Sequence, residues 1–397
     1  MTAAQTPGPA LAPAQRAASA RRTDLDALRL LLCVAIMLLH AAVIFSAEPI
    51  YHLKSAETSF AATVLSEFLR VTAMPGFFVL AGWSAIASLR GRSPGGFARE
   101  RVTRLLVPLI AGVMLLGPIV KYIELSHGLD FGFHGFRQVP PLQVDFLQFW
   151  PRAIRRLNLL TWANLWFLAY LFLISLLLLP LLVRIAQLAP RTAAPSAWVV
   201  YLPAVPMALL LAGFNGWWPY LPNLFTDWTN FSYFALCFAI GAGIAAWPGF
   251  ETRLMAEAPR LLILMVLGLI GVVWFGETTA GRACVALTAW GAIGGGMGLA
   301  ARFRPVVTPV FRYFVEAALP LIIIHQVPML VLGVVLLPLA LPLWVKLILI
   351  WLGGSLIALA AYHWLIRPWS PVRRLMGMSP LPSRNAIPAA SAPRPPA

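Results

Sequence analysis

The chain has 397 residues, 60% of them hydrophobic and 11% charged, and Lys and Arg outnumber Asp and Glu by 30 to 14. A soluble domain carries about one-quarter charged residues, so this composition, with a mean hydropathy of +0.80, excludes a soluble protein and indicates a polytopic one whose main partner is the lipid bilayer. A net charge of +16 would suggest nucleic acid in a soluble chain; here the basic residues sit in short loops between apolar segments, where they set topology, and nucleic-acid binding is set aside.

In chain order, residues 1–20 are rich in Ala, Pro and Gln and lack the hydrophobic core of a cleavable signal. Residues 379–397 are similarly biased toward Pro, Ala and Ser, and both stretches read as disordered cytoplasmic tails. Between them lies one membrane domain, 21–378. It contains ten apolar segments, at 27–47, 60–89, 105–121, 160–183, 196–213, 231–248, 260–276, 283–301, 313–338 and 342–366. Each approaches or exceeds the about 20 residues needed to cross about 30 Å of hydrocarbon. The expected fold is an all-α integral membrane protein, a bundle of about ten transmembrane helices with both termini cytoplasmic. Ten crossings put twenty Lys and Arg on the side of the tails and eight on the opposite side, which is the positive-inside asymmetry. Cys33, Cys237 and Cys284 all fall in apolar segments without metal-ligand spacing, so they read as packing residues and no metal is expected.

The first segment, DLDALRLLLCVAIMLLHAAVIFSAE at 24–48, carries Arg29 and His40. Residues eleven apart on a helix lie about 20° past three turns and about 16 Å apart along the axis. Arg29 and His40 therefore share a face, with Asp26, Cys33 and Met37 on or near the same stripe. Ionisable groups within a bilayer face the bundle interior or a cavity. Two readings stand: a catalytic site, or a His that bonds a neighbouring helix and an Arg that snorkels to the headgroups. The second segment sets Glu67 and Arg70 three apart on one face and then passes through Met74-Pro75-Gly76, a step that kinks a membrane helix.

The loop that follows bears Arg90, Arg92, Arg99, Arg101 and Arg104. Such a run is either a topology determinant or a phosphate-binding face. Further on, Lys121 and Glu124 close the third segment. The loop at 122–157 is long enough to cover a substrate cleft, and it mixes His127, Asp130, His134, Arg137 and Asp145 with aromatic residues. Asn164-Leu165-Trp166-Phe167 open the fourth segment. The stretch NGWWPYLPNLFTDWTN at 215–230 is either an interfacial aromatic belt or a platform for stacking sugars. His325 lies deep in an aliphatic segment, and His363 reads as interfacial. No nucleophile elbow, zinc-protease helix, Walker loop or dinucleotide fingerprint is present.

Several of these stretches occur in an order that resembles the acyltransferase-3 family of integral membrane acyltransferases, most like its glucans biosynthesis protein C branch. They are DLDALRLLLCVAIMLLH with its Arg-x10-His spacing, HLKSAETS at 52–59, MPGFFVLAG at 74–82, FARERVTRLLVP at 97–108, NLWFL at 164–168 and His325-Gln326. One departure is Asn164, where many relatives carry His. The resemblance implies a bacterial inner-membrane enzyme that moves an acyl group, succinyl before acetyl, from cytosolic acyl-CoA to a hydroxyl of a periplasmic glucan or other glycan. No permanent cofactor is implied; acyl-CoA is the co-substrate. It also implies His40 as general base or transient acyl carrier with Arg29 beside the donor, and Arg99, Arg101 and Arg104 on the CoA phosphates. Asp26, Glu67, Arg70, Glu124, Asn164, Trp166 and His325 would line the acyl or acceptor path. The alternatives are a transporter or flippase of a polar solute without acyl transfer, and a sensor or scaffold with this shell but no turnover.

Overall fold

The computed structural model describes residues 22–132, 135–156, 159–214 and 222–381. The expected tail at 1–20, most of that at 379–397, His134 and the Trp-Trp-Pro part of the aromatic loop lie outside the described residues. Among the described residues seven helices are long and apolar enough to cross a membrane, or up to ten if each of three bent pairs is one span. The chain is mostly helical, and large side chains such as Leu31, Leu209 and Trp274 face outward, as lipid-contacting residues do.

Helix α1 (Thr23–Ala42) ends in a 3-10 turn and is followed by α2 (Phe60–Leu89). Next come α3 (Pro94–Arg101), α4 (Val107–Leu115) and α5 (Gly117–Ser126). A hairpin of β1 (Leu129–Gly132) and β2 (Gly135–Gln138) pairs Phe131 with Phe136, and the short α6 (Phe146–Arg155) follows. The remainder is α7 (Trp166–Leu177), α8 (Leu179–Gln187), α9 (Ala204–Phe214), α10 (Trp228–Ala246), α11 (Pro248–Phe275), α12 (Thr279–Arg302), α13 (Pro309–Ile324), α14 (Gln326–Leu336), α15 (Leu343–Ala361) and α16 (Ser370–Leu375). Helix starts follow local chemistry. Ser93, Thr278 and Thr308 each accept a backbone N–H of the first turn, and Pro94 and Pro309 occupy first-turn positions, where a missing N–H costs nothing.

Three expected spans are bent: α4 into α5 by 42°, α7 into α8 by 60° and α13 into α14 by 56°. Each bend precedes a proline, Pro118, Pro180 or Pro328. Proline cannot donate to the carbonyl four residues back, and its ring collides with it, so the helix axis turns there. Hydropathy alone shows each pair as one apolar run.

One boundary differs from the expected 260–276. Helix α11 begins at Pro248 and takes in Arg253, which precedes the expected segment. The exposed Arg260 pairs with the buried Glu257 at 2.8 Å, one turn away, so the helix buries Glu257 without leaving it unpaired.

At the centre, α2 packs against α1, α10 and α12. The described ends of the chain meet one end of this bundle, termed here the tail end. Arg22 pairs with Glu251 at 2.8 Å and stacks over Trp83. Arg373 pairs with Glu316 at 2.6 Å, and Gly377 lies against Arg104. The opposite end opens as a chamber.

Candidate active site

His40 stands in the last turn of α1, at the far end of the bundle, and forms part of the wall of a chamber of about 880 Å³. Stripes from several helices face this space. They include His40 and Val43 from the α1 end; Thr63, Glu67, Arg70 and Met74 from α2; Asn230, Tyr233 and Phe234 from α10; and Arg282 and Val285 from α12. Spacings of three and four put each set on one helix face. The loop between α1 and α2 adds Tyr51 and His52, and the β-hairpin adds Phe131.

His40 is held by Tyr51, which Gln326 holds in turn. Its Nδ1 lies 2.9 Å from Tyr51 Oη. Gln326 Nε2 donates to the same phenol oxygen at 3.3 Å, while Gln326 Oε1 accepts the Asn164 backbone N–H at 2.9 Å. The second bond fixes which way the Gln326 amide points. Burial pushes the Tyr51 phenol well above its usual range, so this oxygen keeps its proton. Gln326 opens α14, immediately after the proline-associated bend, and the bend exposes carbonyls that need partners. Asn164 Nδ2 donates to Ile322 O at 2.6 Å. His325 Nδ1 lies 3.0 Å from both Leu321 O and Ile322 O, and since a carbonyl only accepts, Nδ1 carries the proton. His325 Nε2 is therefore an acceptor. It is fully buried without a partner among the described residues, and its ring centroid is 5.0 Å from that of His40.

Behind this wall lies a buried charge cluster. His52 Nδ1 meets Glu124 Oε1 at 2.5 Å, and Lys121 donates to Glu124 Oε2 at 3.0 Å, to Asp130 and to Phe131 O. The same Glu124 oxygen accepts the Phe131 backbone N–H at 3.2 Å. The cluster ties the α1–α2 loop, α5 and the hairpin together, and so fixes the side of the chamber that Tyr51 occupies. Lys54 closes the α1 end by donating to Val43 O at 2.6 Å and Ser46 O at 2.7 Å.

Of the residues expected from the sequence, the chamber collects His40, Glu67, Arg70, Asn164 and Trp166. His325 and Glu124 stand directly behind it. Glu67 already holds Arg70 with contacts of 2.6 to 2.9 Å. Arg29 and Asp26 are elsewhere. They pair with each other at 2.5 Å toward the tail end, where Arg29 also donates to Ser84. Arg29 and His40 thus share a helix face without sharing a cavity. Arg99, Arg101 and Arg104 lie at the tail end, with Arg101 stacked on Phe97 and Arg104 3.5 Å from Glu100.

The sequence marks His52 only as the first residue of HLKSAETS, and does not mark Tyr51, Tyr233 or Arg282 as site residues. Tyr51 sits in a loop, where no periodicity marks it. Tyr233 and Arg282 are single polar groups in otherwise apolar stripes. Among the described residues no three His, Cys, Asp or Glu side chains are grouped to hold a metal ion.

A multi-pass helical protein with a histidine in the wall of a far-end chamber and a basic cluster at its tail end has the layout of a membrane transferase. The chain belongs to the acyltransferase-3 family, whose model, described as an acyltransferase domain, matches residues 22–366. No curated protein matches it significantly.

Proposed function

We propose that this acyltransferase moves an acyl group, succinyl in preference to acetyl, from acyl-CoA on the cytoplasmic face to a hydroxyl of a periplasmic glucan or related glycan, with His40 as the base. The tail end is then cytoplasmic. The observation that carries the reading is the bond of His40 to Tyr51, whose oxygen also accepts from Gln326, in the wall of a chamber large enough for a sugar. The chemistry follows from the hydrogen bonds. As base, His40 must take the hydroxyl proton on Nε2, because Nδ1 faces Tyr51. The attacking oxygen bonds to the thioester carbon and the carbon–sulfur bond then breaks. The proton on His40 neutralises the leaving thiolate. While His40 holds that proton, Nδ1–H donates to Tyr51 Oη, which also accepts from Gln326. The phenol proton then has only the chamber to point into, where it meets the oxyanion of the tetrahedral intermediate.

The trapped geometry suits acyl transfer better than passage of an intact solute, and one experiment separates the two. Inverted membrane vesicles receive radiolabelled succinyl-CoA or acetyl-CoA on the cytoplasmic face, with wild type or His40→Ala at matched folded levels, and ester label is counted on luminal glycan. Label from one donor that disappears in His40→Ala is expected, and names the donor. Equal label in both proteins, with acceptor present, would remove His40 from the chemistry and favour transport.

A further inference from the structure

The short helix α6 carries charge that neither the chamber nor the packing of the bundle uses. At about 100° per residue its side chains divide into three faces about 120° apart. Phe149 and Ala153 form the first, which is buried; Tyr122 of α5 meets Phe146 and Phe149 there, with ring centroids 5.2 and 5.6 Å apart. Leu147 and Ile154, seven apart, form the second and are 84% and 38% exposed. Arg152 and Arg155, three apart, form the third. Both are exposed, as is Arg156 just beyond, and none of the three has a hydrogen-bond or ion-pair partner among the described residues. Asp145 is the one acidic residue of 145–156, so three arginines less one aspartate leave the segment at +2. These arginines also run against the positive-inside pattern, because on a ten-span count they are three of the eight Lys and Arg opposite the tails.

The helix stands at the chamber end of the molecule. It follows α5, whose Lys121 donates to Phe131 O of the hairpin, and Leu160, Thr161 and Trp162, a few residues further on, line the chamber. Ten residues of helix are about 15 Å long, half the thickness of the hydrocarbon, so α6 lies where neighbouring spans reach the surface and does not cross. We propose that α6 is an interfacial helix that docks on anionic phospholipid in the leaflet at the chamber end. Acyl chains cover Leu147 and Ile154, the half-buried Trp150 sits at the polar boundary, and the guanidinium forks of Arg152, Arg155 and Arg156 bond headgroup phosphates. Charge complementarity selects this occupant. A second copy of the same face would set arginine against arginine, and zwitterionic headgroups would leave the +2 unbalanced. The surface is independent of the acyl-transfer reading.

The test is photolabelling of the full-length protein in phosphatidylcholine nanodiscs. A trace of phosphatidylglycerol or of phosphatidylcholine carries a diazirine near the head of one acyl chain, and label is mapped by mass spectrometry after pepsin digestion. Trp274, 82% exposed on α11, provides a lipid-facing reference in the same molecule. Relative to that reference, peptides covering 146–156 are expected to take at least about fivefold more label from phosphatidylglycerol than from phosphatidylcholine, the factor for a single arginine near an anionic surface. The preference should shrink at high salt. Replacing Arg152, Arg155 and Arg156 by Gln should remove the preference and keep the label, whereas Leu147→Ser with Ile154→Ser should reduce label from both lipids. All five side chains are exposed, so both variants should melt with wild type. Equal labelling of wild type by the two lipids, which needs no variant to fold, overturns the anionic selection, as does a preference unchanged in the Gln variant. Absence of label over 146–156, with Trp274 fully labelled, overturns the docking itself. Protection of the same peptides from hydrogen exchange by a soluble anionic glycan would then reassign the face to the acceptor.

Discussion

At the scale of single residues, Tyr51 and Lys54 show how one short loop serves both chemistry and stability. Tyr51→Phe keeps the ring that stacks beside His40 and removes only the oxygen shared by His40 and Gln326. If the phenol proton meets the oxyanion, its loss lowers kcat by about a hundredfold, as for a single oxyanion donor, with KM little changed. Steady-state kinetics on protein of unchanged melting temperature decides this, and a kcat within threefold of wild type would assign Tyr51 to packing alone. Lys54 makes a prediction about pH. Burial lowers its amine from 10.5 to about 8, with Glu48 opposing the shift. Between these values the unfolded chain binds the proton and the folded protein does not, so folding stability rises as pH increases from about 8 to 10.5 and is flat below 8. Lys54→Met lowers the overall melting temperature, because Val43 O and Ser46 O lose their donor. The difference between the two proteins should widen as pH rises through that window. A difference independent of pH would contradict the shifted amine.

At the scale of elements, the crossing of α2 and α10 sets the width of the chamber. A methyl group at Gly82 would sit 1.9 Å from Phe238 O, and one at Gly241 would sit 1.9 Å from Val79 O, so each helix fits the other only through its glycine. Gly82→Ala or Gly241→Ala should destabilise by about 1–3 kcal/mol through overpacking, and should spread the two walls that carry Arg70 and Tyr233. Gly243→Ala, on the same helix with nothing near its Cβ, provides the control and should match or exceed wild type. Melting temperature and size-exclusion profile read the contrast, and equal melting of Gly82→Ala and Gly243→Ala would show that the crossing tolerates the methyl. The sequence exposes some of this and hides the rest. Apolar runs predict where helices lie, since burial in lipid demands them. They do not reveal the bends before Pro118, Pro180 and Pro328, because a single proline within an apolar run leaves its hydropathy high. The bend at His325 creates the carbonyls that Asn164 and His325 satisfy, so Asn164, a departure from the family pattern, acquires its role only in three dimensions.

At the scale of the whole molecule, the same limit applies to the site. Arg29 and His40 share a stripe that helical periodicity makes visible, yet the stripe runs through two environments. One is a salt bridge and serine contact toward the tail end, and the other is the chamber wall. Periodicity gives direction around a helix and not the neighbours at each depth, and it does not mark Tyr51, which a loop contributes. On the proposed reaction, with the basic cluster at the tail end and His40 in the chamber wall at the opposite end, an acyl-CoA whose phosphates rest on the tail-end arginines reaches His40 through an extended arm. The donor's binding and reacting ends are then recognised separately, and remote binding energy supports chemistry at the far end. An acyl thioester of N-acetylcysteamine, which keeps the reacting group and lacks the nucleotide, tests this division. With acyl-CoA, replacing Arg99, Arg101 and Arg104 by Gln should reduce kcat/KM by about tenfold or more, the loss of charge-assisted phosphate contacts. With the truncated thioester, turnover should be slow, indifferent to the same replacements, and still abolished in His40→Ala. If the arginine replacements depress both donors equally, the basic cluster acts on folding or topology, and phosphate recognition must lie elsewhere along the path.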